Sequence, residues 1–170
     1  FGNNATSSTT GSNMTASQVY SGYASAGSQQ VFSAGLAYAF GAATIGATYS
    51  NTQFKRLGEI ATISTSQPGQ AAKFHDAEIN FKYQVSSAML LGVAYNYTKG
   101  YGANDAKYHQ VALGTDYFLS DRTDLYLVGV YQHTSGVDST GAAAVAQISS
   151  LSPSASSTQI AAVAGIRHKF

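Results

Sequence analysis

Cysteine is absent from this chain of 170 residues, so neither a disulfide framework nor a thiolate metal site can form. Charged residues are also scarce: 10% of the chain, against roughly 25% in ordinary soluble domains. No run approaches the roughly 18 consecutive apolar residues that a transmembrane helix needs. The net charge is +1, which gives no bulk attraction to nucleic acid. These absences disfavour a soluble domain, a helical membrane protein and a nucleic-acid-binding protein.

Glycine and tyrosine, by contrast, are plentiful, with 17 and 12 residues. This composition fits strands that face lipid on one side and water on the other. Residues 158–170 show the pattern most clearly: alternate residues from Ile160 to Phe170 are apolar apart from His168, and the residues between them are small or charged. The alternation predicts a β-strand between an apolar medium and water.

The same alternation predicts six more strands upstream. The seven predicted strands are residues 29–40, 44–55, 73–84, 89–99, 108–119, 124–134 and 158–170. Residues 1–27 are interpreted as a polar loop or the remnant of a preceding strand, although residues 18–24 could form an eighth strand. The outward face of strand 124–134 is ambiguous. We favour an outward orientation for Leu125, Leu127, Gly129 and Tyr131.

Short and long connections alternate along the predicted strands. The short ones are residues 41–43, 85–88 and 120–123, and the long ones are residues 56–72, 100–107 and 135–157. Outer-membrane barrels have this asymmetry, with short periplasmic turns and long extracellular loops. Aromatic residues gather near both ends of the strands, as in the girdles at the two membrane interfaces.

Three segments carry a family resemblance: SQQVFSAGLAYAFG, LSDRTDLYLVGVYQH and the terminal GIRHKF. They resemble the general outer-membrane porins of Burkholderia, Neisseria and related Gram-negative bacteria. The resemblance covers residues 28–170 and implies an all-β, transmembrane, antiparallel up-and-down β-barrel of about sixteen strands. The chain would then supply the seven C-terminal strands. The constriction loop of such porins comes from the N-terminal half and has no counterpart here.

The resemblance also implies a location, partners and an assembly signal. The expected location is the bacterial outer membrane, and the expected partners are its lipid, the barrel assembly machinery, small hydrophilic solutes and, at full length, two further copies in a homotrimer. No nucleic acid is expected. The C-terminal assembly signal maps to Ile166, His168 and Phe170.

The residues that alternate with the apolar ones are predicted to line a pore. Those with chemically informative side chains are Asp76, Glu78, Asn80, Lys82, Gln110, Asp116, Arg167 and Lys169. With Lys82 on the same face, Asp76 and Glu78 are interpreted as part of a hydrated, ion-paired wall rather than a catalytic carboxylate dyad. Lys82, Arg167 and Lys169 either bias ion selectivity or only hydrate the wall.

The predicted function is a water-filled channel for passive diffusion of small hydrophilic solutes and ions. No enzyme activity, cofactor or metal is expected, since Gly-x-Ser-x-Gly and His-Glu-x-x-His are absent. The histidines are interpreted as interfacial side chains rather than metal ligands: His75, His109, His133 and His168. Two alternatives stay open, a small eight-stranded structural or adhesive barrel and an outer-membrane enzyme. The mostly small inward residues favour the open pore.

Overall fold

The computed structural model describes residues 2–3, 23, 25–59, 68–138 and 141–170. They form one antiparallel sheet in which eight strands follow one another in chain order. The strands are β1 Gly2–Asn3, β2 Ser28–Phe40, β3 Ala43–Lys55, β4 Ala72–Ser86, β5 Met89–Gly102, β6 Lys107–Ser120, β7 Thr123–Ser135 and β8 Thr158–His168. Within the described residues, no helix is long and apolar enough to cross a membrane.

All seven predicted strands are present, which confirms the all-β, up-and-down fold. The additional β1 pairs its two residues with the start of β2. The eighth strand considered at residues 18–24 lies outside the described residues apart from Tyr23, which is in no strand.

The prediction of a loop at residues 100–107 was wrong for its first three residues and for its last, Lys107, where β6 begins. β5 continues to Gly102, which pairs with Ala72 of β4. Gly102 has a φ of 84°, a left-handed conformation that glycine tolerates. Pairing with β4 therefore extends β5 through a glycine-rich segment whose sequence alone predicts a turn.

The connections divide into two classes, as predicted. Residues 41–42, 87–88 and 121–122 join strands by two residues each, and the first of these turns has a φ of 58° at Gly41. The pairing register shifts beside the other two turns, between Gln84 and Ser86 and between Phe118 and Ser120. At the opposite end of the sheet, strands are joined by residues 56–71, 103–106 and 136–157. We call these two ends the short-turn end and the long-loop end.

The register separates the side chains into two faces, because directly paired residues of antiparallel strands point to the same side. One row across the sheet consists of Leu36, Ala47, Ile79, Tyr95, Val111, Tyr131 and Ile160. The next consists of Tyr38, Ile45, Phe81, Val93, Leu113, Gly129 and Ala162. We call the side that carries these rows the apolar face and the opposite side the polar face.

The apolar face is open to its surroundings. Leu36 is 70% exposed and Ile160 is 74% exposed, at opposite ends of one row. In β7, Leu125 pairs with Tyr117 and Ile166, so this strand follows the favoured orientation. A continuous exposed face of large apolar side chains is unusual for a soluble protein and suits contact with hydrocarbon.

Neighbouring positions of β6 test this division. Leu113 lies in mid-strand on the apolar face, and Ala112 lies at the same depth on the polar face. We expect Leu113→Arg to lower the free energy of unfolding by about 2–4 kcal/mol, the cost of Arg on the lipid side near the midplane. Ala112→Arg should cost much less. Urea titration of protein folded in phospholipid vesicles measures both, and equal losses would contradict the assignment of faces.

Candidate functional site: the polar face

The polar face gathers the predicted site residues. Its central row consists of Gly35, Thr48, Glu78, Asn96, Gln110, Gln132 and Gln159. The rows on either side of it add Asp76 and Asn80, and Lys82, Asp116 and Arg167 lie further towards the short-turn end. Lys169 follows β8, and its backbone N–H donates to the carbonyl of Arg122 at 2.9 Å. Seven of the eight predicted residues thus share one face of the strands.

Amide and hydroxyl groups hold the two carboxylates of β4. Asn96 Nδ2 donates to Asp76 Oδ1 at 2.7 Å, and Thr98 Oγ1 donates to Asp76 Oδ2 at 2.6 Å. Asn80 Nδ2 donates to Glu78 Oε1 at 3.0 Å. These donors carry no charge, so they orient the carboxylates without neutralising their negative charge.

The expected ion pairing of these carboxylates with Lys82 was wrong. No ion pair among the described residues joins Lys82 to Asp76 or Glu78. The register explains the difference: Asn80 lies between Glu78 and Lys82 on the same face of the strand and bonds to the carboxylate itself.

A charged cluster lies near the short-turn end of the polar face. The Arg167 guanidinium donates twice to Asp124, from Nε to Oδ1 at 3.0 Å and from Nη2 to Oδ2 at 2.7 Å. A second carboxylate, Asp116, is 3.8 Å from the same Nη2. Asp124 is only 4% exposed, and a bidentate Arg is the geometry that suits a desolvated carboxylate. Sequence reasoning found Arg167 and Asp116 but missed Asp124, since the orientation of β7 was ambiguous.

The loop of residues 136–157 folds onto the polar face at the long-loop end. Gln132 Oε1 accepts the backbone N–H of Gln147 at 2.6 Å, and Gln159 Oε1 accepts that of Ile148 at 2.6 Å. From the same face, Thr134 Oγ1 donates to a loop carbonyl, that of residue 144, at 3.0 Å. The loop is therefore fastened to the wall by three side chains of β7 and β8. Its composition of small residues gave no sign of this contact.

A cluster of aromatic side chains lies on the polar face where β3 ends and β4 begins. The Tyr23 ring stacks on Phe54 with centroids 5.3 Å apart, and Phe74 meets Phe54 edge-on at 6.2 Å. Burial raises the pKa of the Tyr23 phenol, and the charges of Tyr108 and Asp138 add to the effect. Like loop 136–157, this cluster covers part of the polar face at its long-loop end.

The four histidines lie on the apolar face, near the strand ends. Each has a hydroxyl neighbour: Tyr49 Oη is 2.6 Å from His75 Nδ1, Tyr95 Oη is 2.8 Å from His109 Nδ1, Thr123 Oγ1 is 2.8 Å from His168 Nδ1, and Thr158 Oγ1 is 3.3 Å from His133 Nδ1. In the part of the chain that the structure describes, no three His, Asp or Glu side chains are grouped so that they could hold a metal ion.

The sequence model of one family, described as Gram-negative porin, matches residues 1–137. The chain belongs to the Gram-negative porin family. Its place is accordingly the bacterial outer membrane, as the sequence predicted. No curated protein sequence matches the chain at a significant level.

Solved structures share the porin fold. An anion-selective porin from Comamonas acidovorans matches with a TM-score of 0.64 and 22% identity, over 84% of this chain and 39% of that one. OmpT, an outer membrane protein of Vibrio cholerae, matches in its in-vitro folded form with a TM-score of 0.58 and 17% identity, over 82% of this chain and 40% of that one. At these identities the likeness shows the fold, and this chain spans about two fifths of each neighbour's length.

The fastening of loop 136–157 can be tested by removing its two glutamine acceptors. In the double variant Gln132→Leu, Gln159→Leu, two loop N–H groups lose bonds that typically contribute about 0.5–1.5 kcal/mol each. We expect a protease to cleave the exposed residues 149–153 faster in the folded protein, with little change in global unfolding.

Gln110→Leu is the matched control, since Gln110 accepts a bond from Gln132 at 3.1 Å and makes no hydrogen bond to the described residues of the loop. Equal cleavage of wild type, control and double variant would show that these bonds do not hold the loop.

Proposed function

We propose that this porin chain forms part of the wall of a water-filled channel for passive diffusion of small hydrophilic solutes and ions across the outer membrane. The observation that carries the proposal is the division of one sheet into an exposed apolar face and an opposite face of small, amide and charged side chains. In this arrangement the apolar face meets lipid and the polar face meets the water of the pore.

The strand length supports this orientation. On the apolar face of β5, Lys99 is the first charged side chain after Met89. The roughly ten residues between them, at about 3.3 Å each and tilted by about 40–45°, span about 25 Å. That is the height of the apolar band of outer-membrane barrels.

The sheet edges support a larger barrel than these strands alone can form. Among the described residues β8 pairs with β7 alone, and β2 pairs beyond β3 only with the two residues of β1. Each backbone N–H or C=O left unpaired in hydrocarbon costs several kcal/mol. We therefore propose that further strands close the ring, to a total of about sixteen as the family resemblance implies, and that such barrels assemble as trimers.

The alternative of a small eight-stranded barrel gains no support from this pairing. Closure at eight strands would require the first strand to pair with β8 as well as with β2, and among the described residues β1 pairs with β2 alone. A wide ring also agrees better with the small side chains on the polar face, which would leave a narrow lumen unfilled. A channel of this kind needs no catalytic group, so we propose no enzyme activity.

We expect the polar face to attract cations more strongly than anions, because its strands carry more carboxylates than basic side chains. Its strand residues include four carboxylates, Asp76, Glu78, Asp116 and Asp124, against two cations, Lys82 and Arg167. Arg167 is itself bound to Asp124, whereas Asp76 and Glu78 keep their charge among neutral donors. We propose a wall that attracts small cations. The Comamonas neighbour is described as anion-selective, so the proposed preference is opposite to the one in that description.

Removing one of these carboxylates tests the selectivity. We expect Asp76→Asn to lower the ratio of cation to anion permeability towards one, measured as the reversal potential of the complete porin under a KCl gradient. Asp121→Asn is the control, because it removes the same charge from a short turn. An unchanged ratio in Asp76→Asn would contradict the proposed role of this wall.

Because the sheet has open edges, we expect that residues 1–170 alone do not form a stable pore. A ten-residue edge would leave about five N–H and five C=O groups unpaired in hydrocarbon. Single-channel recording after refolding in detergent should give no lasting conductance from these residues, while the complete porin conducts. Stable open channels formed by residues 1–170 would contradict the proposal of a larger barrel.

A further inference from the structure

A recess of about 160 Å³ lies on the polar face, towards the short-turn end. Its floor is the backbone at Gly92 of β5 and Gly114 of β6, which pair with each other. In the same row, Lys82 pairs with Gly92 and Val128 pairs with Gly114, and both border the recess together with Asp116. The two glycines therefore leave a hollow between a cation, a carboxylate and an apolar side chain.

The backbone does not require glycine at either floor position. Both residues lie within regular strands and neither has a positive φ. A Cβ added to Gly92 would approach only the carbonyl oxygen of Phe81, at 3.9 Å, and one added to Gly114 would lie 3.5 Å from Val128 Cγ2. Glycine inside a strand weakens it and often marks a place where a ligand approaches the backbone. The open space above these glycines suits such an approach.

The two charges that border the recess are not paired with each other. No ion pair in the described part of the chain includes Lys82. Asp116 has one cation nearby, Arg167 Nη2 at 3.8 Å, and that guanidinium already donates two hydrogen bonds to Asp124. The recess thus has one uncompensated positive charge and one carboxylate that lacks a cation of its own.

The strand arrangement keeps these two charges apart. Lys82 is on β4 and Asp116 is on β6, so β5 lies between them. Two strand spacings correspond to about 10 Å, and Asp116 lies two residues, or about 7 Å, further towards the short-turn end than Gly114. An ion pair needs its nitrogen and oxygen within about 4 Å of each other. A molecule that carries both a carboxylate and an ammonium group can contact both side chains at once.

We propose that this recess binds small α-amino acids as zwitterions. The carboxylate of the amino acid lies towards Lys82, its ammonium group towards Asp116, and a small apolar side chain over the glycine floor against Val128. Both polar contacts are charge-assisted hydrogen bonds. The proposal rests on the channel proposed above, in which the polar face lines the lumen, and it names one class of solute for that wall.

The same arrangement disfavours solutes with a single charge. An anion that contacts Lys82 within the recess meets the like charge of Asp116, and a cation that contacts Asp116 meets the like charge of Lys82. Each of them also leaves one of the two side chains without a partner. Zwitterions are therefore the class of small solute that fits both charged residues of the recess.

Single-channel recording of the complete porin with L-valine as the probe tests the recess. Valine bound at the wall narrows the pore, so the fall in KCl current with valine concentration gives its Kd. Isobutylamine and isovalerate keep the apolar body of valine and carry one charge each. A charge contact exposed to solvent contributes up to about a factor of five in affinity. We therefore expect valine to bind about five-fold more tightly than either analogue.

Three variants of the recess extend the test. Lys82→Gln and Asp116→Asn each remove one charge contact, and each should weaken valine binding about five-fold. Gly92→Val fills the recess with a side chain that suits a strand, so valine binding should be lost. The Tm of Gly92→Val shows whether the variant is folded, and we expect it not to fall, since the added Cβ meets no close atom.

Arg122→Gln and Asp121→Asn are the matched controls, because they remove the same charges from a short turn outside the recess. Both should bind valine as the wild type does. Equal valine affinity in the wild type, Lys82→Gln and Asp116→Asn would overturn the proposal. Equal affinity of the wild type for valine, isobutylamine and isovalerate would also overturn it, because independent ion contacts would then explain the binding.

Saturation-transfer NMR of the porin in detergent measures valine binding without an ion current. Binding that depends on both Lys82 and Asp116, in a complete porin that does not conduct, would support the recess and refute the channel. A porin that conducts but binds no valine would refute only the recess.

Discussion

Backbone hydrogen bonding in a medium without water is the constraint on which the rest of this structure depends. In hydrocarbon, every N–H and C=O of a strand needs a partner on a neighbouring strand. From β2 to β8 the ladders run without interruption except for two register shifts near short turns. Once this register is set, each side chain is assigned to one face, and a slip by one residue would exchange the two faces.

The structure adds inward contacts at both ends of the sheet. At the short-turn end the polar face carries charged side chains that bind one another, with Arg167 between Asp124 and Asp116. At the long-loop end it is covered by chain segments, the aromatic cluster around Tyr23 and the loop held by Gln132 and Gln159. The middle of the face is thus its most open part. There Asp76, Glu78 and Lys82 are paired on β3 with the small residues Ser50, Thr48 and Thr44.

Much of this fold could be predicted from the sequence, because a two-sided environment imposes a two-residue period on every strand. The assignment of residues to the two faces was less certain in strands that carry apolar residues on both faces. In β7, Val128 and Val130 alternate with Leu125 and Leu127, which hid the inward orientation of Asp124. Contacts between distant segments leave no local pattern, so the stacking of Tyr23 on Phe54 and the inward loop were missed. Hydrogen-bond donors also compete with cations for carboxylates, which is why Asp76 is bound by Asn96 and Thr98 rather than by Lys82.

The fastening of loop 136–157 has a consequence for how such proteins diversify. The loop, Thr134 and both glutamines that accept its backbone bonds lie within one continuous segment, residues 132–159. Exchange of that segment alone would transfer the loop together with these three side-chain anchors, whereas the bond from the backbone N–H of Val137 to Asp105 Oδ1, at 2.7 Å, would depend on the recipient chain. The long-loop end of the sheet could thus be replaced largely as a unit, leaving the ladder pattern below it intact.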